Sequence, residues 1–232
     1  MALNTLPKVL AFDAYGTLFD VLSVSQRLEA YFPGEGRAMA QLLRDKQLEY
    51  SRLRTIAGGQ HIKPFWQVTQ DALRFTLRAF DKPPQEDVVR SVMQSYAQIS
   101  AYPEVIDALG TLREAGIALV VLSNGNAEML NEALRHSGLT PLFDGVLSAE
   151  QVGCFKVDPR VYALACSFAN CKPEEAVLIS SNAWDVAGAR WQGLQAYWVN
   201  RANLPFDELD TLPSAQGKSL LAFVDWVLGE RR

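Results

Sequence analysis

Short runs of consecutive apolar residues recur along the chain, and segments with a helical period separate the later runs. A run of about four to eight apolar residues is typical of a parallel strand that is buried on both faces of a sheet. Such runs occur at Val9–Phe12, Ala118–Leu122, Ala176–Ile179 and Ala196–Val199. Helical periods occur at 104–115, 127–137, 159–168 and 183–192. This alternation predicts an α/β fold built on a doubly wound parallel sheet with right-handed crossovers.

A long stretch between the first and second predicted strands carries no strand signal. Its helical periods lie at 24–31, 37–55, 66–79 and 86–99, with Pro-Gly, Gly-Gly and Pro-Pro pairs between them. A crossover of this length holds more than one helix. We therefore expect an all-helical cap subdomain at 21–100, inserted into an α/β core domain of residues 1–20 and 101–232. The tail 217–229 is predicted to form a closing amphipathic helix.

Composition narrows the classes of function. With 22 Lys and Arg against 26 Asp and Glu, the 232-residue chain has a net charge of −4 and no basic stripe for nucleic acid. We expect no signal peptide before Asp13 and no membrane span after it, because no apolar run is long enough. The three cysteines lack paired metal-ligand spacing, which indicates reduced thiols in a cytoplasmic protein. The two histidines and the missing G-x-S-x-G turn argue against a serine hydrolase.

Polar side chains follow three of the predicted strands at the point where each strand ends. Asp13 follows the first strand, Ser123 and Asn124 follow the second, and the segment 180–185 follows the third. Because the carboxyl ends of parallel strands meet at one edge of the sheet, where ligands bind in open α/β folds, these side chains should converge. The expected set is Asp13, Ser123, Asn124, Asn182 and Asp185, with Lys156 entering from a neighbouring loop.

Asp13 is the most informative member of this set. Gly16 permits a tight turn after the strand, so the carboxylate faces a crevice, where it can attack an electrophile directly. A lysine beside such a nucleophile would keep it ionised. Taken singly, a strand-end Asp or a Ser-Asn pair is more often a cap, and a lone Lys is more often a solvated charge. Several polar clusters on one edge favour the catalytic interpretation.

These motifs, in this order and register, resemble those of the haloacid dehalogenase superfamily and, within it, the L-2-haloacid dehalogenases. The resemblance runs over nearly the whole chain. The segments that carry it are Phe12-Asp13-Ala14-Tyr15-Gly16-Thr17-Leu18-Phe19-Asp20, Arg44–Tyr50, Asp71–Thr76, Leu122–Gly125, Lys156 with Tyr162, and Ser180–Asp185. The resemblance implies a haloacid dehalogenase-like Rossmannoid core with a helical cap, a homodimer, and a small 2-haloacid substrate.

Two positions depart from the pattern of the superfamily's phosphatases. Those enzymes use a second Asp, two residues after the nucleophile, to protonate the leaving group, and here that position is Tyr15. A halide needs no proton, so the loss fits dehalogenation. The first acid of the pair that holds Mg²⁺ in the phosphatases is Ser181 here, and Mg²⁺ prefers several charged oxygens. We therefore expect no metal and no cofactor, with the Lys156 ammonium supplying the positive charge.

The resemblance implies that Asp13 attacks C2 of an (S)-2-haloalkanoate, displaces the halide and forms an ester. Water would then attack the ester carbonyl, so that one inversion at C2 gives an (R)-2-hydroxy acid. Lys156 would balance the charge of Asp13, and Thr17 would position its carboxylate. The other catalytic roles implied are Arg44 at the halide or substrate, Tyr162 and Ser180 beside Lys156, and Asn182 and Asp185 at the hydrolytic water.

The resemblance also implies a substrate-binding set. Its members are Ala14, Tyr15, Arg44, Leu48, Phe65, Ser123, Asn124 and Trp184. Ser123, Asn124 and the backbone after Asp13 would bind the substrate carboxylate, and the apolar members would wall a pocket. From the residues alone, the apolar members fit plain core packing, and Arg44 fits a side chain that reaches solvent over the cap. Asp45 stands where some relatives carry Gln, which bears on the polarity of the pocket.

Three alternatives stay open at this point. A phosphatase of the same fold is the first, and Tyr15 and Ser181 argue against it. A catalytically silent protein that binds small acids is the second, and the presence of both Asp13 and Lys156 argues against it. An enzyme that prefers fluoroacetate is the third, and the sequence leaves it open because C–F cleavage depends on the dimensions of the halide pocket.

Overall fold

The strand that ends at Asp13 lies in the middle of a parallel sheet. In a computed structural model, whose described residues are 5–229, the strands are β1 (Val9–Phe12), β2 (Ala118–Ser123), β3 (Gly145–Ser148), β4 (Ala176–Ser180), β5 (Gln195–Val199) and β6 (Ala215–Gly217). Within this range they form one sheet in the order β3-β2-β1-β4-β5-β6, with every neighbouring pair parallel. The chain extends from β1 first to one side and then to the other, which confirms the doubly wound α/β fold. The point where the direction reverses is the carboxyl end of β1.

The apolar runs correctly predict four of these strands. All residues of β1 and β4 are buried, as expected for strands of a parallel sheet with helices on both faces. The apolar pattern does not predict β3 or β6. β3 has only Val146 and Leu147 between a glycine and a serine, and β6 is an Ala-Gln-Gly segment at the edge of the sheet.

Four helices follow β1, as the helical periods predict. They are α1 (Leu22–Tyr31), α2 (Gly36–Ala57), α3 (Phe65–Ala79) and α4 (Glu86–Ala97), and we call residues 22–97 the helical insertion. Both α1 and α3 pack against α2, and both also contact α4. Apolar residues of the insertion, among them Leu28, Leu43 and Leu73, join those of the sheet in one continuous core.

The chain passes between the sheet and the helical insertion at two neighbouring points. Phe19 and Ala101 form an antiparallel bridge, and the Asp20 N–H donates to the Ser100 carbonyl at 2.9 Å. These contacts hold the insertion near the carboxyl end of β1. The division into a core domain (1–20 and 101–232) and a cap subdomain (21–100) stays a prediction. Residues 1–4 and 230–232 of that core lie outside the described residues.

The remaining helices flank the sheet. They are α5 (Val105–Glu114), α6 (Ala127–His136), α7 (Pro159–Ala169), α8 (Ala183–Trp191) and α9 (Leu220–Leu228). The predicted tail helix is α9, but the predicted start at Gly217 is wrong, because that residue ends β6. The helix begins after Ser219, whose hydroxyl oxygen accepts the Ala222 N–H at 3.3 Å. None of the helices within residues 5–229 combines the length and apolar character needed to cross a membrane.

Candidate active site

Asp13 is fixed at the edge of the sheet by the strand that precedes it. Its backbone N–H donates to the Ile179 carbonyl of β4 at 2.9 Å, and its side chain lies at the bottom of a cavity. Gly16 turns the chain back with a φ of +90°, and a Cβ there would lie 3.1 Å from the Ser181 hydroxyl oxygen. This turn brings Thr17 within 3.3 Å of the Asp13 carboxylate. A strand end and a glycine turn thus place a carboxylate and a hydroxyl side by side.

Side-chain donors from three parts of the chain hold the Asp13 carboxylate. Lys156 Nζ lies 3.1 Å from Oδ1. The other oxygen, Oδ2, accepts from Asn182 Nδ2 at 2.9 Å, from Thr17 Oγ1 at 3.3 Å and from Ser180 Oγ at 3.4 Å. The Thr17 hydroxyl oxygen in turn accepts the backbone N–H of Ser181 at 2.8 Å. The carboxylate is therefore held in one orientation.

Lys156 lies between two carboxylates. Its ammonium is 2.8 Å from Asp185 Oδ2 in addition to the contact with Asp13, and the side chain is only 1% exposed. Burial alone lowers the pKa of Lys156, but the nearby carboxylates of Asp13 and Asp185 outweigh burial and raise its pKa above the ordinary value. With both carboxylates ionised and the ammonium protonated, this buried group carries a net charge of −1.

Asp185 has no exposed surface, and Tyr162 supports it. The Tyr162 hydroxyl donates to Asp185 Oδ1 at 2.9 Å. Burial raises the pKa of Asp185 and raises that of Tyr162 well above its ordinary value, so Tyr162 stays a neutral donor. The Asp185 side chain contacts Lys156, Tyr162 and Ser180, and the Tyr162 hydroxyl contacts Asp185. The implied role of Asp185 at the hydrolytic water stays a prediction.

Nine residues line the cavity over Asp13: Asp13, Tyr15, Arg44, Leu48, Phe65, Ser123, Asn124, Lys156 and Trp184. They include every member of the substrate-binding set except Ala14, which is buried and whose carbonyl accepts N–H groups of the following turn. The free space is about 10 Å³, about what one water molecule needs. Two larger clefts of about 660 and 540 Å³ lie elsewhere, and of the cavity residues only Trp184 borders either of them.

Arg44 reaches the site from α2 and connects the helical insertion to the sheet. One guanidinium nitrogen donates to Gln47 Oε1 at 2.7 Å, and another lies 3.4 Å from Asn182 Oδ1. Gln47 is itself buried and donates to Thr69 Oγ1 of α3 at 2.7 Å. Arg44 is therefore held by partners rather than extended into solvent. Sequence reasoning missed Gln47, although its position three residues after Arg44 places both on one helix face.

Two other residues differ from the sequence-based picture. Asp45 is exposed, accepts from Gln41 at 2.8 Å and is not among the cavity residues, so the expected influence on pocket polarity is wrong. Arg201 was not singled out from sequence. It follows β5, donates to the Thr17 carbonyl at 3.0 Å and stacks on the Tyr102 ring at 3.7 Å. It thereby ties the turn after Asp13 to the segment that leads back from the helical insertion.

The side chains around Asp13 show whether this site suits a divalent metal ion. Lys156 Nζ occupies the place between the carboxylates of Asp13 and Asp185, and the neighbouring Ser181 offers a hydroxyl where a third carboxylate would be needed. In the part of the chain that the structure describes, no group of three or more His, Cys, Asp or Glu residues is arranged to hold a metal ion. The donors present therefore suit an ammonium better than a hard divalent cation.

Comparison with known proteins relates most of the chain to the haloacid dehalogenases. The family model described as haloacid dehalogenase-like hydrolase matches residues 7–193. The chain is 37% identical over 219 residues to an (S)-2-haloacid dehalogenase from Pseudomonas putida, covering 94% of this chain and 97% of the relative. It is 39% identical over 218 residues to that of Pseudomonas sp. (strain YL), covering 94% and 93%. The L-2-haloacid dehalogenase from Xanthobacter autotrophicus, solved with chloropropionic acid covalently bound, is 32% identical with a TM-score of 0.89, covering 97% and 99%.

The Tyr162–Asp185 contact leads to a stability prediction. Tyr162→Phe removes the hydroxyl that donates to Asp185 Oδ1 and leaves that buried oxygen without this donor. We expect the free energy of unfolding to fall by about 1–3 kcal/mol, measured by urea denaturation at neutral pH. The control is Tyr31→Phe, because Tyr31 is 41% exposed, and its effect should stay within about 0.5 kcal/mol. Equal losses in the two variants would contradict the prediction.

Proposed function

The chain belongs to the haloacid dehalogenase-like hydrolase family, and we propose that it hydrolyses short (S)-2-haloalkanoic acids to (R)-2-hydroxy acids through an ester on Asp13. One observation carries the proposal: Asp13 lines a small, partly apolar cavity with Lys156 bound to its carboxylate and no second acid two residues later. The named relatives are (S)-2-haloacid dehalogenases, and one was solved with chloropropionic acid covalently bound. These similarities support a covalent route.

The first step moves negative charge from Asp13 to the leaving group. A carboxylate oxygen forms a bond to C2, the C–halogen bond breaks, and the halide leaves with the bonding electrons. Before this step the group of Asp13, Lys156 and Asp185 carries a net charge of −1. Once Asp13 is an ester, Lys156 and Asp185 form a neutral pair. The negative charge thus passes from Asp13 to the halide, which leaves the cavity later, and Arg44 on the cavity wall is the cation available to that halide.

Polar groups on the cavity wall support the binding of the substrate carboxylate and the halide. Ser123 and Asn124 follow β2 and border the cavity beside Asp13, so we assign them to the substrate carboxylate. Arg44 enters from the opposite side on α2, and we assign it to the halide. Leu48, Phe65 and Trp184 would surround the alkyl group, in a pocket with few polar anchors.

The second step hydrolyses the ester and restores Asp13. Water attacks the ester carbonyl carbon and the bond from that carbon to the oxygen on C2 breaks. One water proton passes to that oxygen to form the product hydroxyl, the other is released to solvent, and the product leaves with an inverted C2. Asn182 contacts Asp13 Oδ2 and faces Arg44, so we propose that it orients this water. Ser180 and Thr17 also contact the same carboxylate oxygen, and donors in these positions would stabilise charge that develops on it during hydrolysis.

Tyr15 supports dehalogenation over phosphate-ester hydrolysis. Burial raises the pKa of its hydroxyl, which makes Tyr15 a poor proton donor to an alkoxide. Within residues 5–229 the hydroxyl has no hydrogen-bond partner, so no neighbour assists proton transfer. A halide leaving group needs no such proton.

The nucleophile can be tested with the two enantiomers of 2-chloropropionate. With EDTA present, the enzyme should release chloride from the (S)-form only. Asp13→Ala should reduce this release by several orders of magnitude, as loss of a covalent nucleophile does, whereas the exposed Asp45→Ala should leave it nearly unchanged. A metal requirement, equal use of both enantiomers, or full activity of Asp13→Ala would contradict the mechanism.

In a single turnover in ¹⁸O water, the label should enter Asp13 rather than the product.

The alkaline side of the pH profile of kcat/KM tests whether Lys156 stays protonated. Because Asp13 and Asp185 raise the pKa of Lys156 despite its burial, its ammonium should persist above the ordinary lysine value of about 10.4. Loss of the ammonium should therefore not limit kcat/KM below that pH. Asp185→Asn removes one of the two carboxylates, so the pKa of Lys156 should fall and the alkaline limb should move to lower pH. An unchanged or upward-shifted limb in Asp185→Asn would contradict this assignment.

We also propose a homodimer in the cytoplasm. The three cysteines are free thiols, as in a reducing compartment. Near the end of α2, Leu53 is 55% exposed and Ile56 is 83% exposed, and an interface between copies would cover them. Cell fractionation followed by sedimentation equilibrium tests both proposals. We expect activity in the cytosolic fraction at twice the 25.7 kDa chain mass; a monomer or a membrane-bound activity would contradict them.

A further inference from the structure

The last turn of α2 contacts the segment that carries Lys156. The Thr55 hydroxyl oxygen accepts the backbone N–H of Phe155 at 2.9 Å. The next N–H, that of Lys156, donates to Asn124 Oδ1 at 2.8 Å. Two consecutive N–H groups are therefore held by side chains, one from the helical insertion and one from the residues that follow β2.

Phe155 is bound to the helical insertion through its side chain as well. The residue is 3% exposed, and its ring lies 5.7 Å from that of Phe65, the first residue of α3. The segment that precedes Lys156 thus rests on α2 through its backbone and on α3 through its ring. The position from which the Lys156 side chain starts depends on the helical insertion as well as on the sheet.

Other residues of α2 also contact residues that follow the strands, so Thr55 belongs to the face of α2 that packs on the α/β part of the chain. Arg44 reaches Asn182, and the Arg52 guanidinium lies over the Trp184 ring at 5.0 Å. These two contacts involve residues that follow β4. The Thr55 contact leads to the backbone beside Lys156, and Lys156 is the cation paired with Asp13.

We propose that Thr55 is a positioning residue: its contact with the Phe155 N–H couples the seating of the helical insertion to the placement of Lys156 beside Asp13. The effect of this coupling on catalysis rests on the proposed function. When α2 is seated, Phe155 is fixed from the side of the insertion and Lys156 from the side of the sheet. When α2 moves away, the Phe155 N–H loses its acceptor and the Lys156 segment gains freedom.

The test compares two substitutions of Thr55. Thr55→Val keeps the shape of the side chain and removes the acceptor, whereas Thr55→Ser keeps the hydroxyl and loses only a methyl group. For Thr55→Val with (S)-2-chloropropionate we expect kcat to fall by up to about 10²-fold, as for a small misplacement of a catalytic group, with a smaller change in KM. Thr55→Ser should restore kcat. The control is Thr111→Val on α5, whose exposed hydroxyl donates to the Asp107 carbonyl of its own helix, and which should leave both constants unchanged.

Amide hydrogen exchange gives a readout that does not require activity. In Thr55→Val the Phe155 N–H should exchange faster, and so should the Lys156 N–H, although its acceptor Asn124 is untouched. Thr55→Ser should return both rates to the wild-type values. Faster exchange at Phe155 alone, unchanged kcat in Thr55→Val, or no rescue by Thr55→Ser would overturn the coupling. A wild-type enzyme that releases no halide would instead overturn the proposed function, and the exchange rates would then decide the coupling alone.

Discussion

The placement of one ammonium between two carboxylates is the constraint on which the rest of the structure depends. Lys156 and Asp185 are almost completely buried, and Asp13 completes the group. Charges are costly to bury, and removing one partner of a buried pair typically costs about 3–5 kcal/mol. The fold must therefore hold all three side chains in register. It does so by taking each of them from a different segment: the end of β1, the loop before α7, and the first turn of α8.

The strand order explains why these segments meet. β1 pairs with β2 on one side and with β4 on the other, so the residues that follow β2 and β4 flank Asp13 directly. Asn182, after β4, holds the carboxylate of Asp13, and Asn124, after β2, holds the backbone of Lys156. The central position of β1 thus gives Asp13 neighbours on both sides. When Asp13 becomes an ester, Lys156 stays paired with Asp185, so the ammonium keeps a counter-ion throughout the reaction.

Some parts of the fold and the site can be predicted from the sequence, and others cannot. Asp13 and the residues that follow β4 come after continuous apolar runs, so their meeting at one edge of the sheet is predictable. The edge strand β6 has no such run, because its Ala-Gln-Gly sequence depends on pairing with β5 for its conformation. Gln47 is a polar residue at a buried position, and its partners Arg44, Thr69 and Tyr96 explain it. Asp45 follows Arg44 directly yet faces solvent, since adjacent helical residues point about 100° apart.

The small size of the cavity sets a condition on catalysis. Its free space of about 10 Å³ suits one water molecule, and a 2-haloalkanoate is larger. Neighbouring spaces of about 150 and 130 Å³ border Arg44 and Phe65, so we infer that a small movement of the helical insertion joins them to the cavity and admits the substrate. In such a movement the Arg44–Asn182 contact, at 3.4 Å, and the Thr55–Phe155 contact would break. Their return excludes water from Asp13 and, if Thr55 acts as proposed, also fixes Lys156. Closure of the cavity and assembly of the charged group are then one event.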